Sequence, residues 1–243
     1  MSRLDVRGIG MSRLDVRGIV KTLGDARTPD ASAVLRGVSF SIRDGECFGL
    51  RGTTGSGKTT LLRIIAGLLA PDSGEVVLDD RVLSSPKMQV QPAERSVALV
   101  FQSLGLWPHL TVKGHLDFVL SATKLSRSEQ RAQCASTLET FLIHDLSCRY
   151  PAQLSGGERH LLALARAFCT QTRILLLDEP FTGLDSALKS RVLETLARER
   201  ARRNLTTLLV THNEDEMRVL CDRVEHLNEG HIVPHGRKMQ NAD

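Results

Sequence analysis

The sequence predicts one α/β domain whose core is a parallel sheet interrupted by a helical insert. Three observations predict it. Gly45 to Leu50 is a short apolar run that leads through a glycine-rich loop into the helical stretch LLRIIAGLL. RILLLD, Arg173 to Asp178, is nearly continuous in apolar residues, as a strand buried on both faces requires. A charged amphipathic helix, Ser186 to Arg203, then leads to TTLLVT, and strand, helix, strand in that order implies parallel pairing.

The elements follow in chain order. MSRLDVRGI occurs at Met1 to Ile9 and again at Met11 to Ile19. A structural repeat runs to more copies of a longer unit, so residues 1–10 read as a duplicated start and stand outside the fold. LDVRGIV (Leu14 to Val20), AVLRGVSFSI (Ala33 to Ile42) and GEVVLDDRVL (Gly74 to Leu83) each read as one strand between turn signals, and SVALVF (Ser96 to Phe101) as another. From there the period changes. TVKGHLDFVLSA and the stretch Ser126 to Ile143 have helical spacing, Ser126 with Glu129 forms a capping box, and helical character continues to Phe168. The domain is expected over 11–236, with a core of 11–102 and 171–236 and a helical insert of 103–170.

Composition narrows the function. The chain has 243 residues, 41% apolar and 25% charged, with a net charge of +4 and only 4% aromatics. A duplex binder needs a denser basic stripe and a single-strand binder needs stacking rings, so no nucleic-acid partner is expected. Five cysteines without a C-x-x-C pair read as free thiols in a reducing cytoplasm. No apolar run approaches the ~18 residues that span a bilayer, so a membrane role must come through a partner.

The chemistry starts at GTTGSGKT, Gly52 to Thr59, which follows a strand and opens a helix, the context the G-x-x-x-x-G-K-[ST] motif requires. Gly52, Thr53, Thr54, Gly55, Ser56 and Gly57 present backbone N–H groups to phosphate oxygens. Lys58 reaches the β- and γ-phosphates, Thr59 offers a hydroxyl to Mg²⁺, and Thr60 continues the turn. Asp178 ends a buried strand at the sheet's C-terminal edge, where it can hold Mg²⁺. Glu179 follows as a base for the attacking water. His212 closes TLLVTH at the same edge, facing the γ-phosphate, and Gln102 closes SVALVFQ, where it can sense metal or water. LSGGE, Leu154 to Glu158, adds a second glycine-rich helix start. Ser155 and Glu158 form a capping box, but Gly156 and Gly157 cost up to about 1 kcal/mol each relative to alanine, which implies a close approach to this backbone.

The ordered set GTTGSGKT, FQ, LSGGE, ILLLDEP, GLDS and VTH resembles the nucleotide-binding subunit of an ATP-binding cassette (ABC) transporter, over about Leu14 to Gly236. The resemblance implies a P-loop NTPase core with an N-terminal antiparallel β subdomain and an inserted helical subdomain. It implies ATP and Mg²⁺, a homodimer or a pair with a homologous ATPase, and an LSGGE turn facing the γ-phosphate held by the other subunit. Asp185, beside Leu184, matches the loop that couples the two sites. FQSLGLWPHLTV, Phe101 to Val112, is similar to ATPases of bacterial importers for sugars, oxyanions, metals and polyamines. That similarity implies permease subunits contacting Gln102 to Trp107, with Trp107 an interface residue rather than a core aromatic. A solute-binding protein is a further implied partner, and the implied place is the inner face of the cell membrane, peripheral and cytoplasmic. A soluble ABC ATPase acting on ribosomes or DNA, or an export or lipid-extraction subunit, are the alternative readings. Three residues depart from the family pattern: Leu23 where an aromatic stacks on adenine, Glu158 for glutamine, and Asn213 for aspartate. The chain ends soon after Gly236, so no C-terminal regulatory domain is expected.

Overall fold

A computed structural model describes residues 13–24, 32–170 and 172–233. The duplicated start, the loop after Leu23 and the domain bound at 236 lie outside those residues. Two sheets sandwich one helix. The first is antiparallel, in the order β2-β1-β4-β5, from β1 (Arg13–Leu23), β2 (Ser32–Arg43), β4 (Ser73–Leu78) and β5 (Arg81–Ser84). The second is built from β3 (Cys47–Arg51), β6 (Val97–Val100), β7 (Ile174–Asp178), β8 (Thr206–Val210), β9 (Arg223–Asn228) and β10 (His231–Val233). Its order is β10-β9-β3-β8-β7-β6, parallel except for the β9–β10 hairpin.

ILLLD shows why the parallel strands read as unbroken apolar runs. Ile174 and Leu176 pack with α1 (Lys58–Ala66) and the antiparallel sheet. Leu175 and Leu177 point to the opposite face, into a core built from the helices. Those helices are α2 (Val112–Ser121), α3 (Arg127–Thr140), α4 (Gly156–Cys169) and α5 (Ser186–Arg203). With a side-chain period of two, a strand covered on both faces must be apolar at every position. The two sheets are tied where the Arg36 N–H donates to the Gly230 carbonyl at 2.8 Å.

Three expectations are corrected. Gly74 to Leu83 is a hairpin, not one strand: Asp79 and Asp80 take φ 49° and 66°, and Leu78 pairs with Arg81. Successive left-handed residues make the tight turn that suits strand twist, a place usually held by asparagine or glycine. Helical character does not run unbroken to Phe168. α3 stops at Thr140, Leu142 takes φ 57°, and only short 3₁₀ turns, His144–Leu146 and Pro151–Gln153, intervene before α4. The carbonyls of this segment are used elsewhere: Ser147 and Arg149 accept the first N–H groups of α2, at 2.9 and 2.8 Å. Finally, α6 (Glu214–Leu220), β9 and β10 follow TTLLVT, and the sequence reading assigned none of them.

Candidate functional site

Five strands, β6, β7, β8, β3 and β9, run the same way, so whatever follows their C-terminal ends shares one edge of the sheet. That edge collects Gln102 beyond β6, Asp178 and Glu179 at the end of β7, His212 beyond β8, and the Gly52–Gly57 loop beyond β3. Residues far apart in sequence meet here because the sheet order puts β8 between β3 and β7.

The loop is built for a close approach. Gly57 takes φ 104°, and a Cβ there would lie 2.7 Å from Leu35 and 2.8 Å from the Val34 carbonyl. Only glycine fits that conformation and that space. Gly57 caps α1 without a side-chain acceptor, so the first-turn N–H groups keep the anion-binding character of a bare helix N-terminus. Lys58 folds back over the loop, its Nζ donating to the Gly52 and Thr53 carbonyls at 2.8 Å each and reaching Ser56 Oγ at 3.4 Å. Burial lowers the Lys58 ammonium from its ordinary value, with Glu179 and Asp178 pulling the other way. Thr53, Thr54 and Gly55 form the exposed rim of the loop, while Ser56 and Thr60 are buried.

Thr59 Oγ1 donates to Asp178 Oδ2 at 2.8 Å, although 119 positions separate the two residues. Burial raises the Asp178 carboxyl above its ordinary value, and Glu179 adds to the rise; the Thr59 hydroxyl and Lys58 oppose it. A desolvated carboxylate beside a hydroxyl is an all-oxygen donor pair, the chemistry that suits Mg²⁺ rather than a soft metal. The residues therefore fit the cation that the sequence motif implies.

Glu179 has the left-handed φ of 50°, a conformation costing about 1–2 kcal/mol for a residue with a Cβ. Its N–H donates to the Val210 carbonyl at 2.9 Å, which holds the kink against β8. The kink turns its carboxylate away from Asp178 toward His212, whose Nδ1 lies 2.9 and 3.0 Å from the two oxygens. A carboxylate only accepts, so Nδ1 carries the proton and Nε2 is free on the solvent side. Strain of this kind at a charged strand end is the type found at functional sites.

The LSGGE turn opens α4. Ser155 N–H donates to Glu158 Oε2 at 2.6 Å and Glu158 N–H to Ser155 Oγ at 3.2 Å, the capping box read from sequence. Among the described residues no hydrogen bond or ion pair joins it to the loop, to Asp178 or to Glu179. The two glycines differ. A Cβ on Gly157 would lie 2.3 Å from Leu188 Cδ2, so α5 of the same chain is what comes close there. Gly156 meets nothing within 4 Å and is open. Asp185 caps α5, accepting from Leu188 N–H at 2.9 Å, and Asn213 caps α6 through Asp215 and Glu216 N–H groups. Leu23 is exposed at the end of β1.

Gln102 lies exposed, at the start of a loop whose supports the sequence reading missed. Trp107 is half-buried, packed by His115, Phe118 and the Arg166 guanidinium. Neither Arg166 nor His115 carries a motif signal, because the contact joins α2, α4 and a loop.

A family profile described as ABC transporter matches residues 35–182. The sulfate/thiosulfate import ATP-binding protein of Caulobacter vibrioides is 40% identical over 86% of this chain and 62% of its own length. The spermidine/putrescine import ATP-binding protein of Thermotoga maritima is 39% identical over 85% of this chain and 55% of its own length. The sn-glycerol-3-phosphate import ATP-binding protein of Roseobacter denitrificans is 36% identical, over 87% and 58% respectively. The chain thus spans little more than half the length of these relatives. Among solved structures, an ATP-binding cassette dimer in a post-hydrolysis state, bound to ADP and Pi, superposes with a TM-score of 0.81. It shares 26% identity, over 90% of this chain and 96% of that one.

Proposed function

This chain belongs to the ABC transporter family, and from that premise we propose that it is the ATP-hydrolysing subunit of a solute importer. The observation that carries the reading is the shared sheet edge, where Thr59 meets Asp178 at 2.8 Å and Glu179 meets His212 at 2.9 Å beside the Gly52–Gly57 loop. The loop and Lys58 bind the phosphates of ATP. Thr59 and Asp178, with Gln102 across the edge, would hold Mg²⁺, which would supply charge neutralisation to the phosphates. Glu179 accepts the proton of the attacking water, and His212 holds that carboxylate in place through Nδ1 while its Nε2 side faces the γ-phosphate. Gly156 of the LSGGE turn meets nothing within 4 Å and the turn has no hydrogen bond to the Gly52–Gly57 loop among the described residues, which supports a half-site completed by a second subunit. Homologous import ATPases support the import reading, with membrane-embedded permeases docking near Gln102 to Trp107, a binding protein delivering solute, and the chain peripheral on the cytoplasmic face. Among the described residues no helix is long and apolar enough to cross a membrane.

The test is Glu179→Gln. The variant should bind ATP with unchanged affinity and lose steady-state hydrolysis by a factor of about 10²–10⁴, the usual contribution of a positioned base. Hydrolysis at the wild-type rate would remove Glu179 from the mechanism.

A further inference from the structure

The loop that follows Gln102 makes turns of its own, Leu104 N–H donating to Phe101 O at 2.9 Å and Gly105 N–H to Ser103 O at 2.8 Å, and is then held from outside. Leu104 and Gly105 are successive left-handed residues, φ 62° and 54°. Both carbonyls go to one side chain: Arg166 donates Nη2 to Leu104 O at 2.8 Å and Nη1 to Gly105 O at 2.5 Å. The same guanidinium sits 4.9 Å over the Trp107 ring. Arg166 lies in the last turn of α4, where a basic side chain ordinarily meets its own helix's last carbonyls; here it crosses to the loop.

A second contact fixes the far side. The Trp107 backbone N–H donates to His115 Nε2 at 2.9 Å, and His115 Nδ1 lies 2.8 Å from the Thr111 carbonyl. A carbonyl only accepts and a backbone N–H only donates, so Nδ1 carries the proton and Nε2 the lone pair. The imidazole is held neutral in one tautomer, and protonation at Nε2 removes the bond to Trp107. His115 is fully buried, and burial holds it below its ordinary value of 6.5. Arg166 from α4 and His109 from the loop face it and push the same way, while the Thr111 hydrogen bond opposes.

We infer that Arg166, Trp107 and His115 are positioning residues that clamp the Gln102 loop to α4, the helix whose first turn is LSGGE. Loss of the clamp then frees the loop that carries Gln102. The consequence for hydrolysis rests on the ATPase reading above; the clamp itself does not.

The experiment uses the full chain and its single tryptophan, Trp107. Acrylamide quenching of its emission should rise by about twofold or more in Arg166→Met, as a packed ring gains access to solvent. Arg166→Lys, which keeps one charged donor, should restore part of the protection and serves if the methionine variant does not fold. In the wild-type chain quenching should rise as pH falls below 6.5, whereas His115→Gln, an acceptor that does not titrate, should give a flat profile. In steady-state assays Arg166→Met should lower kcat about tenfold with little change in KM for ATP, the scale of a displaced positioning group. It should lower it no further in a Gln102→Ala background, because both changes remove the same contribution. Unchanged quenching in the Arg166 variants, or an equal loss of kcat in both backgrounds, would overturn the clamp. A wild-type chain that fails to hydrolyse ATP would instead sink the functional reading, and the fluorescence would still decide the clamp.

Discussion

Gly156 and Gly157 are adjacent in sequence and have different physical reasons. Gly157 packs within its own chain, where a side chain would have to turn aside the terminal methyl of Leu188 of α5. Gly157→Ala should therefore destabilise the protein by about 1 kcal/mol, the low end of the cost of overpacking because the Leu188 methyl can shift, read as a lower urea midpoint at constant slope. Gly156 has open space, so Gly156→Ala should leave the midpoint at or above the wild-type value, because alanine is the better helix former. On the dimer reading the same variant should lose ATP-dependent dimerisation on size exclusion, measured in a Glu179→Gln background that prevents turnover. A dimer that survives would mean Gly156 faces no partner. At this scale the sequence told that a bare backbone was needed, from two unfavourable residues in a helix start. It could not tell which glycine served its own chain, because Leu188 lies 31 positions away from Gly157 and meets it only in the fold.

The elements were legible in proportion to how local their causes are. The capping boxes at Ser126 and Ser155 lie within four residues, and both form as read. The break at Asp79 and Asp80 was missed because the usual signal of such a turn is a glycine at its second central position, where Asp80 stands. The clearest non-local cause is Arg95, fully buried and without a carboxylate partner among the described residues. Its guanidinium donates to the carbonyls of Ile64 and Ile65 at the end of α1, and to those of Leu83 and Val90, at 2.7–3.2 Å. It thus caps the helix that starts at the phosphate loop. Burial lowers its pKa to about 10, still far above neutrality, so the cation persists and suits the negative end of the helix. Arg95→Met should cost about 1–3 kcal/mol, since the Ile65 and Val90 carbonyls lose this donor while Ile64 keeps Gly67 N–H and Ser84 Oγ and Leu83 keeps Val90 N–H. A melting temperature within a degree of wild type would refute that role. In sequence Arg95 sits in QPAERS and reads as a surface charge.

For the whole molecule the central prediction concerns what one chain lacks. On the dimer reading Lys58 and Ser155 belong to two half-sites, joined by no hydrogen bond or ion pair among the described residues, so chains defective in each should complement. Lys58→Ala and Ser155→Arg homodimers should both fail to hydrolyse ATP. The mixture should regain ATP-dependent association through one intact composite site, detected by cross-linking of differently tagged chains. No association in the mixture would argue for sites contained within single chains. The sequence by itself determined the α/β class, the phosphate loop and the residues of the sheet edge, because each depends on runs and spacings a few residues long. Only the tertiary structure decided which of those residues meet. It set Thr59 against Asp178 and Glu179 against His212, because sheet order brings β3, β8 and β7 side by side. It also assigned Arg95, Arg166 and His115 their partners, because a side-chain donor is matched to carbonyls by where the backbone passes and not by its neighbours in the chain.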